Sequence, residues 1–228
     1  MTELFTNIFG NGSWQPYADA TLVTLIITVV GAAISYVFGI PIGVLLYMTD
    51  KNGIAPHPVV NRVIGLIVNI LRSVPFIILL VMTQPIAKFI VGKKTSIEAF
   101  IVYLVIAAAP YVSRVIESSL KETDSGVIEA AQAMGSSNWQ IITKVLLPEA
   151  KPSLLIGAAI AITTILGYTP MTYLIGQGGL GAMAIQYGLY RFDSKIMYIA
   201  AVLLVVIVQI IQEVGAGIAK ATDKRIRK

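Results

Sequence analysis

The stretch ATLVTLIITVVGAAISYVFGIPIGVLLYMT, residues 20–49, decides the fold class, because it holds thirty consecutive uncharged residues between Asp19 and Asp50. A helix needs about 20 apolar residues to cross the hydrocarbon core of a bilayer. A secretory signal peptide fits the stretch poorly, since no Lys or Arg precedes it and it is too long. We therefore predict a transmembrane helix here.

The composition of the whole chain supports a membrane protein. Of the 228 residues, 56% are hydrophobic and 13% are charged, whereas soluble domains carry about 25% charged residues. The apolar content excludes a disordered chain, and the lack of a dense basic face excludes a nucleic-acid-binding protein. The chain has no Cys and a single His, His57, which disfavours metal sites and nucleophilic triads. We expect a protein that is not an enzyme and that holds no cofactor of its own.

Four further apolar intervals follow, and together they predict an all-α polytopic protein with five transmembrane helices. The expected spans lie at about residues 20–48, 63–86, 97–116, 153–175 and 196–216, within one transmembrane domain over 1–228. Cytoplasmic loops carry an excess of Lys and Arg. An outer N-terminus and a cytoplasmic C-terminus place eleven basic residues inside and five outside, so we predict this orientation. The five outer residues are Lys88, Lys93, Lys94, Arg191 and Lys195.

Small residues recur every four positions in the first span, at Gly31, Ser35, Gly39 and Gly43. Such a row lets a second helix approach closely, and this helix could come from the same chain or from another copy. Prolines lie in or near four of the spans, where they bend helices either around a pathway or as static shape.

The middle of each predicted span lacks Asp and Glu, which weighs against proton- and sodium-driven carriers. Arg72 interrupts the second span. A charge at the centre of a membrane helix costs roughly 2.5–3.5 kcal/mol, so we place Arg72 near the inner boundary. Contact with a water-filled cavity is the alternative.

The sequence GQGGLG, residues 176–181, matches the dinucleotide fingerprint G-x-G-x-x-G. That fingerprint requires a preceding β-strand, whereas this segment follows an apolar helix. Dinucleotide binding is therefore rejected, and the chain also lacks a P-loop motif for ATP. We predict a turn at the outer membrane face, followed by a short buried helix over 180–187.

Residues 117–151 form a long cytoplasmic loop, which predicts two helices joined at Gly135. Asp124 or Ser125 caps the first helix, and Gly135 ends it. Ser137 and Gln140 form a capping box that begins the second helix. We expect this second helix to stop before Pro148, because the residue before proline disfavours α geometry.

The first loop helix has a surface of small residues, which is typical of a docking site for a partner protein. The alternative is an amphipathic helix that rests on lipid. Anionic lipids would repel Glu122, Asp124 and Glu129, so we favour protein docking.

The pattern E-A-A-x3-G-x9-V-x-L-P, from Glu129 to Pro148, resembles the EAA loop of ABC importer permeases and departs from it only by Val145 for Ile. The likeness covers most of the chain beyond the first twenty residues. Four stretches are similar to the methionine-importer permease subfamily: LRSVPFIILL at 71–80, GVIEAA at 126–131, QYG at 186–188 and RF at 191–192.

This resemblance implies a type I ABC importer permease in the bacterial cytoplasmic membrane. It implies a homodimer whose two loops dock on two cytoplasmic ATPase subunits, which bind ATP and Mg. It also implies an extracytoplasmic methionine-binding protein, usually a lipoprotein, that delivers the cargo. In the family, Glu129 would pair with a basic residue of the ATPase and Gly135 would allow the bend. The implied coupling residues are Glu129, Ala130, Ala131, Met134, Gly135, Leu147 and Pro148.

Tyr168, Pro170 and Met171 are candidates for an apolar cargo pathway, with ordinary packing beside a proline as the alternative. Two other functions stay open. One is a permease of the same architecture for another amino acid, a phosphonate or a quaternary amine. The other is an ATP-independent channel or secondary carrier with a merely structural loop. A membrane-embedded enzyme is disfavoured, because the sequence offers no convergent acid, base and metal ligands.

Overall fold

The computed structural model describes residues 14–222, and every regular element within them is a helix. In chain order the α-helices are α1 Gln15–Thr49, α2 Pro58–Ser73, α3 Phe76–Met82, α4 Gln84–Val91, α5 Ile97–Lys121, α6 Ser125–Ala133, α7 Asn138–Gln140, α8 Leu147–Glu149, α9 Lys151–Tyr168, α10 Leu180–Ile185 and α11 Ser194–Thr222. Two π-helical turns, Ile141–Leu146 and Gln186–Tyr190, and one 3-10 helix, Thr169–Ile175, complete the set.

Four of these helical stretches are long and apolar enough to cross a membrane: α1, α5, α9 with its 3-10 extension, and α11. A fifth span results if the bent pair α2 and α3 counts as one. The all-α, multi-span fold class is therefore confirmed. Where we expected one continuous helix over 63–86, the chain breaks at Val74, which is extended (φ −83°, ψ 124°). The following Pro75 disfavours α geometry at that residue.

The chain divides into two compact units, each built from three separate segments. The first unit comprises the described residues up to Ala32, together with Phe76–Val105 and Ile162–Ile210. The second comprises Ala33–Pro75, Ile106–Ala161 and the described residues from Ile211 onward. Four of the five unit boundaries fall inside long helices, and the fifth lies at Pro75, between α2 and α3. None of them coincides with a linker in the sequence, so composition alone did not predict the division.

In the second unit, the row of small residues on α1 packs against α5. A Cβ atom on Gly39 would lie 2.5 Å from Val112 Cγ1, and one on Gly43 would lie 2.6 Å from the Ser113 carbonyl oxygen. Gly157 of α9 approaches the same helix, since a Cβ there would lie 2.5 Å from Val115 Cγ1. The close partner of the small-residue row is therefore a helix of the same chain.

In the first unit, the glycine segment forms the predicted turn. Gly176 and Gly179 have φ values of +70° and +121°, a region that favours glycine. The Leu180 amide donates to Thr24 Oγ1 at 2.9 Å, and Leu180 is buried at the start of α10. The expected short buried helix is thus present, although its last turn is π-helical from Gln186.

Candidate partner-docking site

Helix α6 begins at a side-chain cap. Asp124 has extended backbone, and its Oδ1 accepts a hydrogen bond from the Gly126 amide at 2.7 Å. A carboxylate at this position satisfies one of the amides that a helix leaves unpaired at its start. The structure thus selects Asp124 over Ser125 from the two predicted caps.

Helix α6 ends in a Schellman motif centred on Gly135. The Ser136 amide donates to the Ala131 carbonyl at 3.1 Å, and the Gly135 amide donates to the Gln132 carbonyl at 2.9 Å. Gly135 has a φ of +78°, as this motif requires at its C′ position. The predicted stop of the first loop helix at Gly135 is therefore confirmed.

The second loop helix begins as predicted but does not stop before Pro148. The Ser137 amide donates to Gln140 Oε1 at 2.8 Å and the Gln140 amide to Ser137 Oγ at 3.4 Å, which completes the capping box. The chain then enters the π-helical turn Ile141–Leu146, in which the Leu147 amide donates to the Ile142 carbonyl. The wider turn moves the carbonyl of residue i−4 away from the proline ring. The helix therefore continues through Pro148, and our prediction of an earlier stop was wrong.

One face of α6 packs against other helices of the second unit. Ile128 and Ala131 are buried on this face. They belong to one apolar cluster with residues of the π-helical turn and of α5, among them Ile141, Leu146 and Leu120. Ala131, which we had assigned to the coupling surface, therefore lies on the inner side of the helix. It holds the helix in place and is not exposed to a partner.

The opposite face of α6 is exposed to solvent. Glu129 and Ala130 lie on it, Met134 is 79% exposed, and Gly135 is exposed beside it. Exposed apolar side chains that form a patch are typical of protein-docking surfaces. Pro148 is also exposed, whereas Leu147 is half-buried.

Trp139 is 72% exposed at the start of the second loop helix, close in sequence to Gly135. Sequence reasoning did not single out this residue, which lies between the capping-box residues Ser137 and Gln140. An aromatic residue inside an otherwise polar cap was the signal that could have identified it, because Trp is enriched at protein interfaces.

An ion-pair network lies at the end of α5 in the same unit. Glu117 is 8% exposed at its side chain and accepts from Arg114 at 2.6 Å and from Lys121 at 2.9 Å. Lys121 also pairs with Asp50 at 2.7 Å, just after α1. Arg114 further donates to Asn69 Oδ1 of α2 at 2.9 Å. The network therefore joins α1, α2 and α5.

Sequence reasoning missed this network, because it counted Arg114 and Lys121 only as charges that flank spans. The signal was the spacing of opposite charges at i, i+3 and i+7, which places all three on one helix face. The Lys121 ammonium, as a hydrogen-bond donor, lowers the pKa of the Asp50 carboxyl from its usual value. Asp50 and Lys121 line a cavity of about 540 Å³ together with Thr123, Ser125 and Glu129. The ion-pair network therefore lies beside the first turns of α6.

The candidate pathway residues lie in the first unit. Tyr168 stacks on Phe76 with ring centroids 4.6 Å apart. Pro170 packs against Gly181, where a Cβ would lie 2.5 Å from the proline ring. Tyr168, Pro170 and Met171 are all half-buried.

Arg72 lies in the second unit, where its guanidinium carbon is 5.8 Å from the centre of the Tyr111 ring. Its depth in a membrane stays a prediction.

Comparison with known proteins identifies the family. Residues 39–228 match the family described as binding-protein-dependent transport system inner membrane component. The chain is 45% identical over 206 residues to a probable D-methionine transport system permease protein MetI of Vibrio cholerae, covering 90% of this chain and 92% of that protein. It is 40% identical over 181 residues to the methionine import system permease protein MetP of Bacillus subtilis, covering 79% and 82%.

Solved structures point to the same family. An inward-facing structure of the MetNI methionine ABC transporter matches with a TM-score of 0.89 and 39% identity, covering 98% of this chain and 100% of that chain. The resemblance to ABC importer permeases is therefore confirmed, as is the localisation in the inner membrane. The chain belongs to the family of inner membrane components of binding-protein-dependent transport systems, in which it is a membrane-spanning permease subunit and not an enzyme.

Proposed function

We propose that this chain is the permease of an ATP-driven methionine importer. It works as a homodimer with two cytoplasmic ATPase subunits and receives methionine from an extracytoplasmic binding protein. The observation that carries the proposal is the near full-length similarity to methionine permeases, with 45% identity over 90% of the chain for one of them. ATP and Mg belong to the ATPase subunits.

The N-terminus faces outward and the C-terminus lies in the cytoplasm. This orientation puts α6 and the second loop helix on the cytoplasmic side, where an ATPase subunit reaches them. The distribution of basic residues supports it. The loops at residues 92–96, 176–179 and 190–194 then face outward.

Helix α6 is the element on which the ATPase docks. Its exposed face offers Glu129, Ala130 and Met134, so a groove that receives it needs an apolar wall and a basic residue for the carboxylate. Its buried face is packed on α5 through Ile128 and Ala131. Because this packing is dense, a displacement of α6 moves the spans and does not merely bend the loop.

The decisive experiment is uptake of labelled methionine into proteoliposomes that contain the permease and its ATPase subunit. We expect uptake to require ATP inside and the methionine-binding protein outside, and unlabelled methionine to compete better than other amino acids. Uptake without the ATPase, following an ion gradient, would contradict the importer. Better competition by another amino acid would overturn methionine as the cargo while leaving the ATP-driven mechanism intact.

A further inference from the structure

The loop that precedes α11 presents an aromatic side chain in strained backbone. Phe192 has a φ of +56°, the sole positive value for a residue other than glycine within 14–222. Its side chain is 85% exposed. A left-handed conformation costs roughly 1–2 kcal/mol for a residue with a side chain, and the exposed ring recovers little of this cost inside the chain. Strained backbone conformations of this kind cluster at functional sites.

The residues around Phe192 hold this loop in one shape. The Asp193 amide donates to the Tyr187 carbonyl at 2.9 Å, and Asp193 Oδ1 accepts from the amides of Lys195 and Ile196 at the start of α11. The Arg191 guanidinium lies 4.8 Å from the centre of the Tyr187 ring. Phe192 is therefore presented by a fixed loop and loses little entropy when it is buried against a partner.

Two further loops of the first unit connect to this one. Tyr190 stacks on Tyr173 with ring centroids 5.2 Å apart, and Tyr173 lies just before the glycine turn. Gln177 in that turn donates to the Thr95 carbonyl at 2.8 Å, next to the exposed Lys93 and Lys94. Aromatic and basic side chains from three loops thus share one end of the unit. We call the set Lys93, Lys94, Tyr190, Arg191 and Phe192 the aromatic–basic patch.

The charge of the aromatic–basic patch indicates its partner. In the proposed orientation, Lys93, Lys94 and Arg191 lie outside the membrane, where basic residues are under-represented. In the described part of the chain, none of the three forms a salt bridge, although Lys93 interacts electrostatically with the exposed Glu98 and Arg191 lies over the Tyr187 ring. Basic side chains that form no salt bridge, placed around an aromatic anchor, are complementary to an acidic surface that has an apolar recess.

We propose that the aromatic–basic patch is the docking surface for the extracytoplasmic binding protein, whose matching face carries carboxylates around a pocket for Phe192. This inference rests on the proposed function, since it names the surface on which that importer receives its cargo protein. The aromatic ring fixes the bound position, and the lysines accelerate the encounter.

The test measures binding of the purified methionine-binding protein to the permease–ATPase complex in nanodiscs. Phe192→Ala and Phe192→Gly should each weaken binding at least tenfold through faster dissociation. Gly accepts a φ of +56° without strain, so Phe192→Gly removes the ring while the loop keeps its shape. Phe89→Ala is the matched control, because Phe89 is 91% exposed on α4 yet lies outside the patch. It should bind as the wild type does.

The charges are tested by the double substitution of Lys93 and Lys94 to Gln. It should slow association severalfold and flatten its dependence on salt, with dissociation nearly unchanged. Equal affinity for the Phe192 variants and the wild type would overturn the docking surface, while leaving methionine import intact. Failure of the wild type itself to bind the binding protein would instead contradict the proposed function.

A bilayer anchor is the rival role for Phe192. A Phe192→Trp variant distinguishes the two through its fluorescence. We expect quenching by aqueous acrylamide, and protection from acrylamide when the binding protein is added. Quenching by brominated lipids that the binding protein does not change would overturn the proposal.

Discussion

Replacement of Gly135 by Val tests whether the end of α6 determines docking of the ATPase. The Val variant must either hold a left-handed conformation or lose the two hydrogen bonds that close the helix, from the Ser136 and Gly135 amides. Apart from Gly135 itself and its two chain neighbours, no described residue lies within 4 Å of a Cβ placed on Gly135. The cost therefore comes from the backbone alone, and steric crowding by neighbouring elements does not contribute.

The magnitude follows from this geometry. A Cβ in the left-handed region costs about 1–2 kcal/mol, and a β-branched side chain costs more. One to two kcal/mol changes an equilibrium by a factor of roughly 5–30, so the share of molecules that lose the native end of α6 should rise by about that factor in the Val variant. Met134, the exposed residue next to Gly135, would then be misplaced.

The assay compares retention of the ATPase subunit on the purified permease with ATP-driven uptake. Gly135→Val should reach the membrane as a folded dimer yet lose both activities together. Gly135→Asn should retain most of both, because Asn tolerates the left-handed region. Ala133→Ser changes an exposed residue of the same helix without altering the backbone, and it should have little effect.

Normal retention and normal uptake by Gly135→Val would refute the reasoning. So would an equal loss in the Asn variant, because that result would trace the defect to the side chain and not to the backbone angle. The thermal unfolding midpoint of each purified variant separates a docking defect from a folding defect.

Three further predictions concern the second unit and one concerns topology. Glu117→Gln removes the charge shared by two cations and should cost about 2 kcal/mol of stability, seen as a lower thermal unfolding midpoint in detergent; an unchanged midpoint would mean that the network contributes nothing. Gly43→Ala must separate α1 from α5 and should cost about 1–3 kcal/mol, whereas Gly167→Ala, with open space around it, should be neutral. Because the pKa of the Asp50 carboxyl is lowered in the folded state, its contribution to the stability of the folded protein should be present at neutral pH and lost as pH falls below about 4. Asp50→Asn should abolish this part of the pH dependence of the unfolding midpoint. Replacing Lys93 and Lys94 by Gln should leave the orientation unchanged, as labelling of introduced cysteines would show, since the cytoplasmic side keeps its excess of basic residues.

The loop helices were predictable from sequence because their ends depend on local chemistry. A cap at Asp124, a left-handed glycine at 135 and a capping box at Ser137 each involve residues a few positions apart. Pro148 was misjudged because a π-helical turn has no comparably strong local signature. The inward direction of Ala131 was missed because it depends on tertiary packing against α5 and the π-helical turn, which the residues of α6 do not reveal by themselves.

The membrane spans, too, could be predicted only where a local sequence signal determines them. Apolar length indicated where helices lie, since every backbone group within a bilayer must be satisfied inside its own helix. It did not indicate the break at Val74, although Pro75 was visible in the sequence. It also could not indicate that Glu117, at the edge of a span, is buried. The two cations that neutralise it, Arg114 and Lys121, both lie on α5, but its burial depends on the elements packed around that helix.

Under the proposed function, helix α5 is the element that would transmit a displacement of the loop to the spans. In the second unit, Gly39 and Gly43 of α1 and Gly157 of α9 all lie against α5 at distances that exclude a side chain. At its end, Glu117 and Lys121 connect it to the segment after α1, and Leu120 packs in the same cluster as Ile128 of α6. Interfaces this close leave no room for independent sliding. A displacement imposed on α6 must therefore either move α5 together with the parts of α1 and α9 packed on it, or break contacts that cost several kcal/mol. Enlarging Gly43 should accordingly impair coupling before it impairs docking: the ATPase should stay bound, while uptake per ATP hydrolysed should fall.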